Sequence, residues 1–277
     1  MSDDLTGLYG GITNRRVRPD DLRRAKDRHE RWAMLTSYDM LSAGIFEAAG
    51  LPALLVGDSA GNNVLGHPTT VPVTVDELLP MVRAVVGATS RPMVVADLPF
   101  GSYQRSPEQA FDTAVRFLKE GGAQAVKLEG GRRVAGAIEL LVSAGIPVIG
   151  HVGLTPQSEL VTGLRVQGRG EDAHEVLADA LAVEQAGAFA VVLEAVPADV
   201  AERISKELTI PTIGIGAGPG CDAQVLVWTD MAGLTAGAPL TFVKRYADLR
   251  GVLAEATRAY ADDVAAGVFP GREHSFS

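Results

Sequence analysis

Short apolar runs recur along the chain from Trp32, and none of them alternates strictly between apolar and polar residues. A strand with one wet face shows such alternation, whereas a strand of a parallel sheet is buried on both faces and is apolar throughout. The runs therefore predict buried parallel strands at 32–39, 53–58, 93–100, 125–130, 147–154, 190–196, 211–218 and 224–231.

Helical patterns separate these runs, and two of them have recognisable starts. Thr74 and Glu77 form a capping-box pattern ahead of an apolar face, although we expect Pro80 to bend or interrupt that helix. Ser106 followed by Pro107 predicts the start of a second helix. The chain thus alternates strands with helices.

Eight strand candidates alternating with helices predict an α/β fold, a (β/α)8 TIM barrel, over a single domain at 1–277. A doubly wound open sheet is the alternative, because counting strands does not prove that a sheet closes. We expect an N-terminal arm or helix, with a flexible arm at 1–20, and a long C-terminal helical segment from about Leu240 to Val268.

Composition narrows the classes of partner and compartment. A net charge of −9 at pH 7 disfavours nucleic acid, which requires a basic face. The single cysteine, Cys221, excludes an intrachain disulfide and fits a reducing cytosol. No stretch approaches the ~18 apolar residues of a membrane span. We therefore expect a soluble cytoplasmic protein that neither spans a membrane nor binds nucleic acid.

Four of the predicted strands deliver a carboxylate at or near their ends, namely Asp58, Asp97, Glu129 and Glu194. In a TIM barrel the carboxyl ends of the strands form the active-site mouth, so these acids should converge. Like charges repel, and burial adds a further cost. Lys127, two residues before Glu129, supplies one positive charge, and a divalent metal would supply two more.

Oxygen ligands favour Mg²⁺ over Zn²⁺, and the histidines are too scattered for a zinc site. His151 lies in the fifth predicted strand. A structural role and a substrate contact are equally open for this residue. The alternative for the acids themselves is that they cap loops or pair with nearby basic residues, chiefly Arg132, Arg133, Arg165 and Arg169.

A set of motifs in order over about residues 32–276 resembles the ketopantoate hydroxymethyltransferase family. The motifs are "LTSYDMLSAGIFEAAG", "LLVGDSAGNNVLGH", "TVPVTVDEL", "ADLPFGSY", "AVKLEGG", "IPVIGHVGLTPQS", "VQGRG", "IPTIGIGAG", "DAQVLV" and "GVFPGREHSF". Their order over most of the chain is far more specific than any one of them.

The resemblance implies a TIM barrel with Mg²⁺ as cofactor and 5,10-methylenetetrahydrofolate as one-carbon donor to 3-methyl-2-oxobutanoate. It implies that Asp58 and Asp97 are metal ligands and that Glu129 lies on the metal side. It further implies that Asp58, Ser59, Asp97 and Lys127 hold the oxo acid and that Glu194 is the proton acceptor. It also implies a homodecamer of two pentameric rings and leaves the folate contacts unassigned.

The sequence departs from the family pattern in three loops near the expected mouth. At Gly163–Leu164 the chain lacks one glycine and the aromatic residue of the family pattern. His67–Pro68 stands where the family commonly has an aromatic residue or His followed by Asp, and the family often has a larger residue at the position of Ala195. These changes bear on folate or substrate fit. Two other functions remain open: an enolate-handling lyase or mutase of the phosphonopyruvate and isocitrate lyase group, and an oligomeric scaffold without activity.

Overall fold

Eight parallel strands pair in sequence order and close into a barrel. The computed structural model describes Leu8, Ile12 and residues 14–276. Strand β1 pairs with β8, which confirms the predicted TIM barrel over an open sheet. The strands are β1 (Trp32–Thr36), β2 (Ala53–Val56), β3 (Met93–Asp97), β4 (Ala125–Glu129), β5 (Val148–Gly153), β6 (Ala190–Glu194), β7 (Thr212–Ile215) and β8 (Ala223–Leu226).

Each strand ends one to five residues before the predicted run does. The prediction was wrong at these ends because the residues beyond a strand remain buried in the loops over the barrel, so hydrophobicity alone does not mark the last ladder position. Asp58, for example, lies two residues after the end of β2. The largest error is at the eighth run, where Trp228–Met231 is helical.

The helices that surround the sheet include α1 (Pro19–Asp27), α2 (Met40–Ala48), α3 (Val75–Gly87), α4 (Pro107–Lys119), α5 (Ala135–Ser143), α6 (Glu159–Thr162), α7 (Ala173–Gln185) and α8 (Ala198–Glu207). Shorter helical turns occur at Gly61–Leu65, Arg132–Val134, Pro156–Ser158 and Gly170–Asp172.

The predicted capping residues of α3 and α4 are confirmed. The Glu77 N–H donates to Thr74 Oγ1 at 3.2 Å and the Thr74 N–H donates back to Glu77 at 2.8 Å, while the Gln109 N–H donates to Ser106 Oγ at 3.3 Å. The expected interruption at Pro80 was wrong, since α3 continues through it. Pro80 is exposed, so the carbonyl that loses its donor faces water.

Apolar side chains fill the amino end of the barrel. Trp32, Met93 and Ala223, at or near the first positions of their strands, join Leu22 and Ala25 of α1 in one buried cluster. The predicted arm at 1–20 falls partly on residues 1–7, 9–11 and 13, which lie outside the described residues. Further along that arm Val17 is buried, and its N–H donates to the Arg91 carbonyl at 2.8 Å.

The chain divides into two compact units, Met1–Val227 with the barrel and Trp228–Ser277. The second unit holds α9 (Trp228–Met231), α10 (Leu249–Ala265) and a turn at Arg272–His274. The helix expected from Leu240 begins later because Asp248 caps it, accepting the Gly251 N–H at 3.0 Å. The single domain over 1–277 stays a prediction. Among the described residues, no helix is long and apolar enough to cross a bilayer.

Candidate active site

The register of the sheet brings the predicted acids together at the carboxyl end of the barrel. Asp97 of β3 stands level with Lys127 of β4, and Glu129 of β4 stands level with His151 of β5. Residues level on adjacent strands point to the same side of the sheet, and residues two apart on one strand do so as well. Asp97, Lys127, Glu129 and His151 therefore share the interior face.

Asp97 and Lys127 form a buried ion pair, with Lys127 Nζ 2.8 Å from Asp97 Oδ1. Both side chains are almost fully removed from water. Burial disfavours the ammonium, but the carboxylates of Asp97 and Glu129 outweigh that cost and raise the pKa of Lys127 above its usual range. Lys127 is therefore a permanent positive charge in the site.

Asp58 lies against this pair, and its backbone N–H donates to Asp97 Oδ2 at 3.2 Å. Burial and the neighbouring charges of Asp97 and Glu129 hold the pKa of Asp58 well above its usual range, although Lys127 opposes them. The site thus has more buried carboxylates than cations to balance them. A divalent cation would supply the missing positive charge.

His151 lies between two acids from separate strands. Its Nδ1 is 3.4 Å from Glu129 Oε1, and its Nε2 is 3.2 Å from Glu194 Oε2. Burial and Lys127 oppose protonation of the ring, yet the two carboxylates outweigh them and raise the pKa of His151 to about 9. Burial would raise the pKa of Glu129, but His151 and Lys127 hold it below its usual value.

Glu194 is the most accessible of the four acids, with 18% of its side chain exposed. Its backbone is held on both sides, because its carbonyl accepts the Leu154 N–H at 2.8 Å and the Ala195 N–H donates to the Ile215 carbonyl at 2.9 Å. Ala195 has φ of +48°, a left-handed conformation rare for a residue other than glycine. The carboxylate therefore reaches solvent from a fixed backbone.

Ser59 follows Asp58 at the mouth, where its Oγ lies 2.8 Å from the Tyr38 hydroxyl. Gly57 is needed beside it, because a Cβ there would come within 2.9 Å of Ser59 Oγ and 3.6 Å of Asp97 Oδ2. The structure thus brings Ser59 into the same cluster as the acids, as the sequence predicts.

Two neutral side chains complete the site, and the sequence reasoning missed them. Gln157 is buried and donates from Nε2 to Asp58 Oδ2 at 2.9 Å, while Tyr103 donates to Gln157 Oε1 at 2.7 Å. Tyr103 lies in the motif "ADLPFGSY" and Gln157 lies in the motif "HVGLTPQS". Their place in these motifs was the signal by which the sequence could have identified them as site residues. His151 was left undecided and lies fully inside the cluster.

Three of the four arginines considered as partners of the acids have other contacts. Arg132 pairs with Glu175 and Asp179 on the surface at 2.5 and 2.8 Å. Arg133 donates to Ser158 at 2.9 Å, and Arg165 donates to the Thr162 carbonyl at 2.8 Å. Lys127 and His151 contact the buried acids and offset part of their negative charge, and a bound cation would offset more.

The carboxylates of Asp58 and Asp97 are hard oxygen donors of the kind that Mg²⁺ binds. Among the described residues, no three His, Cys, Asp or Glu side chains are arranged to hold one ion, so a cation would need water or substrate oxygens as well. Mg²⁺ commonly binds in this way. Apart from the Lys127 ammonium at 2.8 Å, Asp97 Oδ1 has no hydrogen-bond partner in the described part of the chain. The ligand roles of Asp58, Asp97 and Glu129 stay predictions.

Comparisons with known proteins agree on one family. The sequence model of ketopantoate hydroxymethyltransferase matches residues 16–272. The chain is 64% identical to 3-methyl-2-oxobutanoate hydroxymethyltransferase of Saccharopolyspora erythraea, covering 99% of this chain and 94% of that protein. It is 66% identical to the enzyme of the same name from Frankia alni, covering 92% and 85%.

Solved structures with the same fold are more distant in sequence. Phosphonopyruvate hydrolase in complex with oxalate and Mg²⁺ superposes with a TM-score of 0.61 at 17% identity, covering 92% of each chain. The trigonal form of 2,3-dimethylmalate lyase gives 0.59 at 18% identity, covering 99% of this chain and 90% of that one. These similarities establish the barrel fold, and the sequence matches establish that the chain is an enzyme of the ketopantoate hydroxymethyltransferase family, whose hydroxymethyl transfer belongs to pantothenate biosynthesis.

Proposed function

We propose that the chain transfers a hydroxymethyl group from 5,10-methylenetetrahydrofolate to 3-methyl-2-oxobutanoate, giving 2-dehydropantoate and tetrahydrofolate. The observation that carries the proposal is the juxtaposition of a buried carboxylate pair and Lys127 with a more accessible carboxylate, Glu194. The first group suits binding of an anionic oxo acid beside a cation, and the second suits proton transfer.

Asp58 and Asp97 are the residues that would hold Mg²⁺, with Glu129 acting on the metal side. When bound, Mg²⁺ would polarise the keto group of the oxo acid and stabilise the negative charge of its enolate. Lys127 adds a fixed positive charge for the same anionic substrate, supported by its ion pair with Asp97 at 2.8 Å. Ser59, at the mouth, would donate a hydrogen bond to the oxo acid.

Glu194 would remove the proton from C3 of the oxo acid, since it is the acid with the most solvent access. The enolate carbon would then form the new C–C bond to the one-carbon unit of the folate. One water molecule would supply the hydroxyl oxygen of the product, and tetrahydrofolate would leave with its nitrogen protonated. His151 Nε2 lies 3.2 Å from Glu194 Oε2, so it would help to orient this carboxylate. The acids would therefore have two roles: Asp58, Asp97 and Glu129 on the metal side, and Glu194 in proton transfer.

The decisive experiment is an assay for 2-dehydropantoate with the purified protein, 3-methyl-2-oxobutanoate and Mg²⁺, with and without 5,10-methylenetetrahydrofolate. We expect product only when both Mg²⁺ and the folate are present. Activity that survives EDTA would refute the metal role, and an inert preparation would refute the proposed reaction. Phosphonopyruvate, as an alternative substrate, should not be turned over.

We further propose that the enzyme acts in the cytoplasm as a homodecamer of two pentameric rings. Support comes from α10, whose Val252, Leu253, Tyr260 and Val264 are all about half exposed or more. Apolar side chains in such a row on one helix favour contact with another subunit. Sedimentation of the purified protein as a monomer would refute the assembly.

A further inference from the structure

The side-chain amide and the backbone N–H of Gln157 are both hydrogen-bonded within the site. It lies in the turn Pro156–Ser158 after β5 and is buried. Its Nε2 donates to Asp58 Oδ2 and to the Leu98 carbonyl, both at 2.9 Å, and its backbone N–H donates to Glu129 Oε2 at 3.0 Å. Its Oε1 accepts from the Tyr103 hydroxyl at 2.7 Å and from Gln104 Nε2 at 3.1 Å.

The orientation of this amide follows from its partners. The Leu98 carbonyl can only accept a hydrogen bond, so the amide atom 2.9 Å from it must be the nitrogen. The oxygen then faces Gln104 Nε2, which can only donate. Consequently the second N–H of Gln157 is directed at Asp58 Oδ2. A donor at this position fixes the orientation of the aspartate and determines which of its oxygens remains for other ligands.

The same residue reaches a second acid from another strand. Its side chain holds Asp58 after β2, while its backbone holds Glu129 at the end of β4. Tyr103 ties this arrangement together, because its hydroxyl donates to Gln157 Oε1 and accepts the Glu129 N–H at 3.1 Å. The Tyr103 hydroxyl also lies 3.0 Å from the Glu129 carbonyl, so it contacts both residues that it links. A buried network whose polar groups are paired is rigid.

We propose that Gln157 is a positioning residue that fixes the carboxylates of Asp58 and Glu129 as oxygen donors for a divalent cation, with Tyr103 as its anchor. Gln157 acts through these two carboxylates. The proposal rests on the proposed function in one respect, the roles of Asp58 and Glu129 at the metal. It adds a neutral residue, from a loop after a different strand, to the machinery that determines metal affinity.

The test measures binding of Mn²⁺, a paramagnetic substitute for Mg²⁺, to the full-length protein after EDTA treatment, by electron paramagnetic resonance. Gln157→Met keeps the length of the side chain and the backbone N–H to Glu129 but removes the amide. Loss of a hydrogen bond to a charged group should weaken Mn²⁺ affinity about ten- to hundredfold. The matched control is Gln109→Ala, which removes an amide bonded to the Gly101 carbonyl and the Arg105 N–H instead.

Gln109→Ala should change Mn²⁺ affinity less than about twofold, since its bonds lie in an exposed loop. A purely structural role for Gln157 would lower the melting temperature of Gln157→Met and leave the Mn²⁺ affinity of the folded protein unchanged, which overturns the proposal. If Gln157→Met does not fold, Tyr103→Phe decides: weaker Mn²⁺ binding supports the proposal and wild-type affinity overturns it. A wild-type protein that binds no Mn²⁺ overturns the metal role and this proposal together, whereas equal binding by wild type and variant overturns this proposal alone.

Discussion

The two ends of the barrel are built from the same eight strands but bury opposite kinds of side chain. At the amino end, Trp32, Met34 and Met93 pack with residues of α1 in an apolar cluster. At the carboxyl end, Asp97 and Lys127 are buried to the same degree but carry charge. Apolar burial stabilises a fold by roughly 25 cal/mol per Å², whereas buried charges need partners to be tolerated at all.

The difference between the ends separates stability from chemistry along each strand. β3 begins with Met93 in the apolar cluster and ends with Asp97 in the site, four residues later. Changes at the amino end should therefore affect the free energy of unfolding and leave the chemistry intact. Changes at the carboxyl end should affect the chemistry, and their effect on stability should depend on whether they leave a buried charge without its partner.

The largest effect should follow removal of the proton acceptor at the carboxyl end. Glu194→Gln keeps the shape of the side chain but removes the base, so exchange of the C3 proton of 3-methyl-2-oxobutanoate with solvent deuterium should fall about 10²–10⁴-fold. Proton nuclear magnetic resonance in D₂O, without folate, measures this step directly. Exchange at the wild-type rate would show that another group is the base.

Two further variants test whether the loss of exchange is specific to Glu194. Glu202→Gln changes an exposed acid that pairs with Lys206 on α8, and should leave exchange unchanged. Asp97→Asn should instead weaken Mg²⁺ and oxo-acid binding together, because it removes a hard anionic ligand. Excess Mg²⁺ should partly restore Asp97→Asn and should do nothing for Glu194→Gln. Equal rescue of both variants would contradict the division of roles among the acids.

At the amino end, Met34→Ala should lower the free energy of unfolding by about 2–5 kcal/mol, because it leaves a cavity in the apolar cluster. Met34 is 2% exposed, whereas Met40 on α2 is 62% exposed, so Met40→Ala is a matched control expected to change stability by less than about 0.5 kcal/mol. Urea unfolding measures both. The kcat of folded Met34→Ala should stay within about twofold of wild type; a tenfold loss would mean that the two ends are coupled.

The pH dependence of stability should report the charge balance of the carboxyl end. His151 has a pKa raised from 6.5 to about 9, so the folded state binds its proton more tightly than the unfolded state does. Its stabilisation is complete below pH 6.5 and is lost as the pH rises through about 9, a decrease on the order of 3 kcal/mol. Unfolding in EDTA between these pH values measures it.

His151→Asn should flatten that part of the profile, because the titrating ring is gone. His174→Asn, at an exposed position on α7, provides the control and should keep the wild-type slope. If His151→Asn loses stability over this range as wild type does, the carboxylates of Glu129 and Glu194 do not hold a protonated ring between them.

Much of the fold was predictable because its signals are periodic and local. Apolar runs without alternation predicted all eight strands, and Thr74 and Ser106 predicted the starts of α3 and α4. The ends of the strands were not predictable, because loop residues over the barrel are as buried as strand residues. Leu98, for example, follows β3 and is fully buried.

The acids of the site were predictable for a different reason. A carboxylate after an apolar run is costly unless something binds it, so Asp58, Asp97, Glu129 and Glu194 attracted notice one by one. Gln157 and Tyr103 gave no such signal, because neutral polar residues are common in loops and exposed ones are unremarkable. Their burial results from tertiary contacts between loops after different strands, which a single sequence does not display.

The smallest expected effect concerns backbone strain at the carboxyl end. Ala195, directly after Glu194, has φ of +48°, which costs an L-residue with a Cβ roughly 1–2 kcal/mol. Ala195→Gly removes this cost. It also increases the entropy of the unfolded chain, which lowers the free energy of unfolding by about 0.4–1 kcal/mol. The net result should be a gain in the free energy of unfolding of up to about 1 kcal/mol. Ala182→Gly, inside α7, is the control with the opposite sign and should lose about 1 kcal/mol. Urea unfolding of both variants decides, and a loss in Ala195→Gly as large as that in Ala182→Gly would show that the site stores no strain at this residue.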